Sequence, residues 1–224
     1  MPLKSTLFDN MNRIKFSLTG LIVTFIFCFF TNCSTGGNIF EGADDVGNPK
    51  LKGSLQYNKS PDTYTLTGAG TNMWATDDEF FMAWRKQTGD FSLAARITFV
   101  GEGVNAHRKI GLIIRESLQG NAKYADVCVH GDGLTSLQYR ENTGGATKEV
   151  VAPHRAPDYI KLERIGKKIM MKTASEKYPD EVTGEIELDF PGTAYIGLFI
   201  CSHEADVFET AVFSNVEYKS VKTN

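Results

Sequence analysis

Two Cys-x-His tripeptides are the most chemically suggestive pairs in this chain, Cys128-Val129-His130 and Cys201-Ser202-His203. Residues i and i+2 of a β-strand share a face, so the thiol and imidazole of each pair point the same way. If the two strands are neighbours, the four side chains form a tetrahedral zinc set. The alternative, which we favour, is that the cysteines pack as buried thiols or form a disulfide, and that both histidines belong to a ligand-binding face.

Aromatic and polar side chains near these histidines predict a sugar-binding surface. Sugar rings stack their C–H faces on aromatic planes, while planar polar side chains hydrogen-bond to the hydroxyls. The predicted ligand-binding residues are Trp74, Arg115, Asp126, His130, Gln138, Arg140 and His203. Any single member has a structural alternative; Arg115, for example, could neutralise a buried carboxylate.

Acidic side chains offer a weaker set of candidates for a metal site. Asp77, Asp78 and Asp132 could supply oxygen ligands to a structural calcium ion. The alternative for Asp132 is a turn, because it lies between Gly131 and Gly133 and glycine readily adopts a positive φ. No other cofactor is expected.

Catalytic patterns are weak in this sequence. A glycosidase needs two carboxylates across the scissile bond, for which Glu116, Asp126 and Glu163 are available without any characteristic pattern. A lyase needs a His or Tyr base beside an arginine. The residues available for that arrangement are His130, Tyr139, Arg140 and His203. No nucleophile elbow, phosphate-binding loop or dinucleotide fingerprint occurs, so binding without chemistry is favoured over lyase or hydrolase activity.

The elements that would position these residues are short strands. Runs of β-branched and aromatic residues recur between Gly, Asn, Asp and Pro clusters, which is typical of an all-β sandwich of two antiparallel sheets. The predicted strands are 63–66, 79–86, 91–100, 109–116, 124–130, 135–141, 148–151, 159–165, 168–173, 185–189, 194–203 and 211–218.

Alternation along several strands separates an aliphatic face from a mixed one. Ile196, Leu198 and Ile200 share one face, whereas Phe199 and Cys201 point to the other. The mixed face carries small, polar and ionisable groups rather than the Lys, Glu and Thr of a solvated surface. We therefore predict a concave sheet whose polar face is open to a ligand.

Several phrases together resemble a known fold family. They are Gly89-Asp90-Phe91, Gly111-Leu112-Ile113-Ile114-Arg115-Glu116-Ser117, Leu137-Gln138-Tyr139-Arg140, Leu162-Glu163-Arg164-Ile165-Gly166, Gly197-Leu198-Phe199 and Val212-Phe213-Ser214-Asn215-Val216. In this order they resemble concanavalin A-like lectin/glucanase domains of unknown function in Bacteroidetes envelope lipoproteins, some of them labelled TolB-like. The resemblance implies a jelly-roll sandwich, a polysaccharide or oligosaccharide ligand, or alternatively a structural role beside a Tol-like envelope partner. It assigns no catalytic residue.

The N-terminal segment resembles a lipoprotein signal. A basic stretch leads into the apolar run 16–30, which ends at Thr31-Asn32-Cys33-Ser34. Its uninterrupted part, 21–30, is shorter than the ~20 residues of a membrane span. Cys33 resembles the lipidated cysteine of a lipobox, although Asn32 replaces the usual small residue; ordinary cleavage and an uncleaved anchor remain alternatives. Ser34 favours the outer membrane, at its periplasmic face or the cell surface.

The domain bounds and the net charge limit which further classes of partner are expected. We predict a signal peptide over 1–32, a tether over 33–46 and the sandwich over 47–220. Residues 1–32 hold three basic and one acidic residue, so 21 basic and 26 acidic residues follow, a net charge of −5. An acidic chain without a basic block excludes nucleic acid as the expected partner. Contact with lipid is expected only through the anchor.

Overall fold

The computed structural model of the protein describes residues 37–221 and contains only β-strands as regular elements in that range. The predicted all-β class is confirmed, and no helix within these residues could cross a bilayer. The strands are β1 Gly42–Val46, β2 Ser54–Asn58, β3 Thr63–Gly70, β4 Phe80–Thr88, β5 Asp90–Val100, β6 Lys109–Arg115, β7 Tyr124–His130, β8 Thr135–Arg140, β9 Lys148–Val151, β10 Tyr159–Ile165, β11 Lys168–Ser175, β12 Tyr178–Glu187, β13 Thr193–Cys201 and β14 Glu204–Val221.

The strands form two seven-stranded antiparallel sheets. The site sheet has the order β1-β4-β13-β6-β7-β8-β9, and the back sheet has the order β12-β11-β10-β5-β14-β3-β2. Consecutive strands of the site sheet include β6, β7 and β8, so residues 109–140 form one meander. The prediction of two stacked antiparallel sheets is confirmed.

The main core lies between the sheets and follows the predicted alternation. Ile196, Leu198 and Ile200 are fully buried there and face back-sheet residues such as Leu93 and Phe213. Burial of each large aliphatic side chain stabilises the fold by about 1.5–3 kcal/mol. The aliphatic face of the alternating pattern is therefore the inner face of the sandwich.

The outer face of the site sheet carries a second apolar layer. Its buried members are Val46, Met73, Phe80, Met82, Ile113, Tyr124, Cys128, Phe199 and Cys201. Met73 comes from the loop between β3 and β4, which folds across this face together with Leu118. The expectation of an open concave face is therefore corrected: the chain's own side chains fill the Tyr124 end, whereas the His130 end retains a cleft.

Two strands at the start of the domain were not predicted. β1 pairs with β4, and Phe40 packs in the main core, so residues 40–46 belong to the sandwich rather than to the predicted tether. β2 adds the edge strand of the back sheet by pairing with β3. Both are five residues long and depend on their neighbours more than on their own sequence. Cys33 and the predicted signal segment lie outside the described residues.

Candidate functional site

A cleft of about 330 Å³ opens on the outer face of the site sheet at its His130 end. Strand residues form its floor and two loops form its walls. Its lining consists of Asn72, Trp74, His107, Lys109, His130, Leu134, Gln138, Glu149 and His203. Four of the seven predicted ligand-binding residues, Trp74, His130, Gln138 and His203, therefore meet in one place.

A row of three polar side chains forms the floor. Lys109 Nζ on β6 donates to Gln138 Oε1 on β8 at 3.2 Å, and Gln138 Nε2 donates weakly to Glu149 Oε2 on β9 at 3.5 Å. Gln138 and Glu149 are directly opposed in the sheet register. Lys109 and Gln138 are 2% and 1% exposed, so both are held in position rather than freely solvated. The row offers one cation, one amide and one carboxylate to a ligand.

His130 is held in one orientation by the turn that follows β7. Its Nδ1 lies 3.0 Å from the Leu134 carbonyl oxygen, which can only accept, so Nδ1 carries the proton and Nε2 is left as an acceptor. Burial, reinforced by the Lys109 charge, lowers the pKa of His130 to about 4. The imidazole is therefore neutral at physiological pH.

The 101–108 loop and the β13–β14 turn form one wall. Arg108 anchors the loop by a buried ion pair with Glu209, in which Arg108 Nη1 lies 2.5 Å from Glu209 Oε2. Asn105 Nδ2 donates to the Glu204 carboxylate at 2.7 Å, which ties the loop to the turn. His107 and His203 consequently face each other with ring centroids 5.6 Å apart. Burial lowers the pKa of His203.

The 71–79 loop forms the opposite wall and presents Trp74, which is 39% exposed. The loop is held from beneath by Asp78, whose carboxylate receives two bonds from Arg140, at 2.7 and 2.8 Å, and one from Arg115 at 3.4 Å. Tyr124 Oη donates to the Met73 carbonyl at 2.8 Å. These contacts fix the backbone on either side of Trp74.

Three predicted site residues consequently need a correction. Arg115, Arg140 and Asp78 are fully buried and bond one another and backbone carbonyls, so the arginines do not contact a ligand and Asp78 is not a metal ligand. The alternative that Arg115 neutralises a buried carboxylate is the one observed. Long polar side chains under a loop are indistinguishable in sequence from those under a ligand.

Asp126 is also fully buried, but it has a different environment. It lies on β7 directly opposite Gln138 and Ile113. Neither carboxylate oxygen accepts a hydrogen bond of normal geometry, although the Cys128 thiol and the Gln138 backbone lie near enough to lower its pKa. Burial raises the pKa of Asp126 to about 7, against the opposing attraction of Lys109. The residue belongs beneath the cleft floor and does not line the cleft.

The remaining metal and thiol candidates form neither a metal site nor a disulfide in residues 37–221. Asp77 is exposed and lines a different polar cavity, whereas Asp132 caps its own turn by accepting from Leu134 N at 2.8 Å. Cys128 and Cys201 are free and buried, so the disulfide alternative is wrong. Within residues 37–221, no group of three or more His, Cys, Asp or Glu side chains is arranged to hold a metal.

Sequence reasoning missed several lining residues. Lys109 and Glu149 lie on strands, and the period-two rule applied to β6 and β9 would have placed them on the polar face. His107 and Asn72 lie on loops whose path no local pattern predicts. Their contribution to the cleft depends on the ion pairs that anchor those loops.

Comparisons with solved structures define the fold. A functionally unknown protein from Saccharomyces cerevisiae matches with a TM-score of 0.60 at 14% identity, over 81% of this chain and 97% of that one. An alginate lyase solved in complex with dimannuronate gives 0.54 at 10%, over 83% and 91%. A legume lectin-like domain from Entamoeba histolytica gives 0.51 at 11%, over 80% and 90%. The sequence itself matches no protein-family model and no curated protein.

The chain is thus a concanavalin A-like jelly-roll sandwich of two antiparallel sheets. At identities of 10–14%, these similarities define the fold and not the function, because this fold hosts unrelated activities. The part of the expected resemblance that concerns the sandwich is confirmed.

Proposed function

We propose that this protein binds carbohydrate in the cleft without chemically altering it. The observation that carries the proposal is Trp74, a partly exposed indole above a floor of Lys109, Gln138 and Glu149. An aromatic plane beside fixed donors and acceptors is the arrangement that holds a sugar ring and its hydroxyls. The fold neighbours that are a dimannuronate-binding lyase and a lectin-like domain support the same ligand class.

A non-catalytic role is favoured by what the cleft offers. Glu149 is the only carboxylate among the lining residues, whereas glycoside hydrolysis ordinarily requires two across the bond. Arg140, the arginine expected to assist a lyase, is fully buried and engaged by Asp78. The arrangement therefore supports recognition better than bond cleavage.

A glycan array and affinity gels test this function directly. The full chain, purified in detergent, should bind at least one polysaccharide, and Trp74→Ala should abolish that binding by removing the stacking plane. Phe208→Ala is the matched control, because Phe208 is a comparably exposed aromatic residue at 47% outside the cleft lining. Absence of binding to every glycan, or equal binding by both variants, would refute the proposal.

Lyase activity is the second candidate, favoured by His130. A neutral imidazole with a free Nε2 near an ammonium group could abstract a proton next to a carboxylate. Incubation of polyuronates with the protein would give unsaturated products with a new ultraviolet absorbance if this were correct. His130→Gln should abolish that signal; the absence of any signal from the wild type favours binding alone.

We further propose that Cys33 carries a lipid and places the domain at the outer membrane. The support is the basic, apolar and cysteine-containing order of residues 4–33. Metabolic labelling with a palmitate analogue should label the wild type but not Cys33→Ala. Co-purification of one envelope protein would test the alternative role in a Tol-like assembly.

A further inference from the structure

Among residues 37–221, the buried Asp126 carboxylate attracts the ammonium group of Lys109, but no carboxylate forms a contact ion pair with Lys109. Its side chain is almost fully buried, its one hydrogen bond goes to the neutral Gln138 amide, and it takes part in no ion pair there. An ammonium has three donors, so two remain for a ligand. While Asp126 is protonated, Lys109 is a buried cation without a counter-ion, which is costly, and an incoming anion would relieve that cost.

The two partly buried histidines beside Lys109, His130 and His203, do not add positive charge. Burial lowers the pKa values of His130 and His203, which keeps both neutral at physiological pH. Glu149, at the outer end of the floor row, is exposed, so solvent screens its carboxylate. His107 is exposed on the wall formed by the 101–108 loop. Lys109 thus supplies the fixed positive charge that a ligand meets at the floor of the cleft.

Asp126 opposes an anion at this position only while it is ionised. It points to the same side of the sheet as its neighbour Gln138, and neither of its carboxylate oxygens accepts a hydrogen bond of normal geometry. On its own strand, burial raises the pKa values of Tyr124 and Cys128 well above their usual range, so both stay neutral. Asp78, from the 71–79 loop, is held by arginines.

We propose that the cleft is selective for a saccharide bearing an anionic group, which Lys109 binds, and that Asp126 takes up one proton when this anion binds. The proposal rests on the proposed carbohydrate function and deepens it. The physical cause is mutual repulsion: a bound carboxylate or sulfate above an ionised Asp126 is unfavourable, and protonation of Asp126 removes the second charge.

The ligand arm of the test compares three oligosaccharides of equal length by titration calorimetry at pH 6. The probes are a uronic acid trisaccharide, a sulfated trisaccharide and a neutral trisaccharide. The acidic probes should bind at least tenfold more tightly than the neutral one, and the stronger of the two identifies the anion. Lys109→Met should remove this preference, while Lys59→Met, an exposed lysine outside the cleft, should retain it.

The proton arm repeats the titration from pH 6 to pH 8. With the pKa of Asp126 at about 7, coupling to one proton predicts that the wild-type affinity for the acidic probe falls about tenfold over this range. Asp126→Asn should bind with an affinity independent of pH. His107→Gln is the matched control, because it removes the imidazole on the 101–108 wall. The affinity of this variant should fall between pH 6 and pH 8 as in the wild type.

Proton uptake can also be counted. Titrations in buffers of different ionisation enthalpy should report close to one proton taken up per ligand near pH 8 in the wild type, and none in Asp126→Asn. Tighter binding of the neutral probe would overturn the inference while leaving carbohydrate binding intact. Absence of binding by all three probes and by the glycan array would overturn the proposed function itself.

Discussion

Replacement of Asp126 by asparagine should stabilise the protein in a pH-dependent manner. Asp126 is fully buried, and both of its carboxylate oxygens lack a hydrogen bond of normal geometry. Burial raises its pKa from 3.8 to about 7, so the folded state holds a proton that the unfolded state has already released between these values. Wild-type stability is therefore highest below pH ~4 with respect to this group, and falls as the pH rises to about 7.

The size of this change in the free energy of unfolding follows from the shift in the pKa of Asp126. Each pKa unit is worth about 1.4 kcal/mol, so the ionised carboxylate destabilises the fold by up to ~4 kcal/mol at pH 8. Part of this loss, ~1–2 kcal/mol, is already present at pH 5. The stability of Asp126→Asn relative to wild type should consequently rise by roughly 2–3 kcal/mol between pH 5 and pH 8.

Urea denaturation at pH 5, 6, 7 and 8 measures this difference. Comparison across pH removes the fixed cost of burying an amide, which is the same at every pH. Glu102→Gln, an exposed acid, is the control and should run parallel to the wild type. A constant difference between Asp126→Asn and wild type at all four pH values would refute the reasoning, because it would mean that Asp126 does not titrate differently in the folded protein.

Four further expectations concern the 71–79 wall, the second apolar layer and His130. Arg140→Met should cost about 3 kcal/mol in urea denaturation, because it leaves buried Asp78 with one distant partner, whereas the exposed Arg155→Met should cost less than 1 kcal/mol; equal costs would contradict the anchoring role. Cys128 should react with a thiol reagent only after unfolding, and early reaction in the folded state would show that its layer is open. His130 should stay neutral in an NMR titration down to pH about 5, given its pKa of about 4. Since that pKa lies below its usual value, His130 should also make the fold less stable as the pH falls below about 6.5.

Most strands of the two sheets could be predicted from local sequence patterns. β7, β9 and β10 begin and end at the predicted residues. β1 and β2 were missed because their sequences, GADDV and SLQYN, contain no run of β-branched or aromatic residues. Their pairing with β4 and β3 stabilises them, and pairing is a property of distant segments.

Only part of the candidate site could be predicted from the sequence. Gln138 and His130 were predicted because a strand projects alternate residues to one face, a rule that needs no tertiary information. The same rule also selected Arg140, which lies two residues beyond Gln138 on the same face of β8. Arg140, however, lies under the 71–79 loop. Whether a polar side chain on that face meets solvent or a loop depends on chain packing from far along the sequence.

By itself, the sequence determined that this protein is a β-sandwich with an aliphatic inner face and a mixed outer one, because the side-chain period of a strand is a local property. Only the tertiary structure decided where the outer face is closed and where it is open. Two loops, anchored by the Asp78 and Glu209 ion pairs, cover one end of the sheet and frame a cleft around Lys109 at the other. Loop paths are set by contacts between residues up to a hundred positions apart, and no local pattern encodes them.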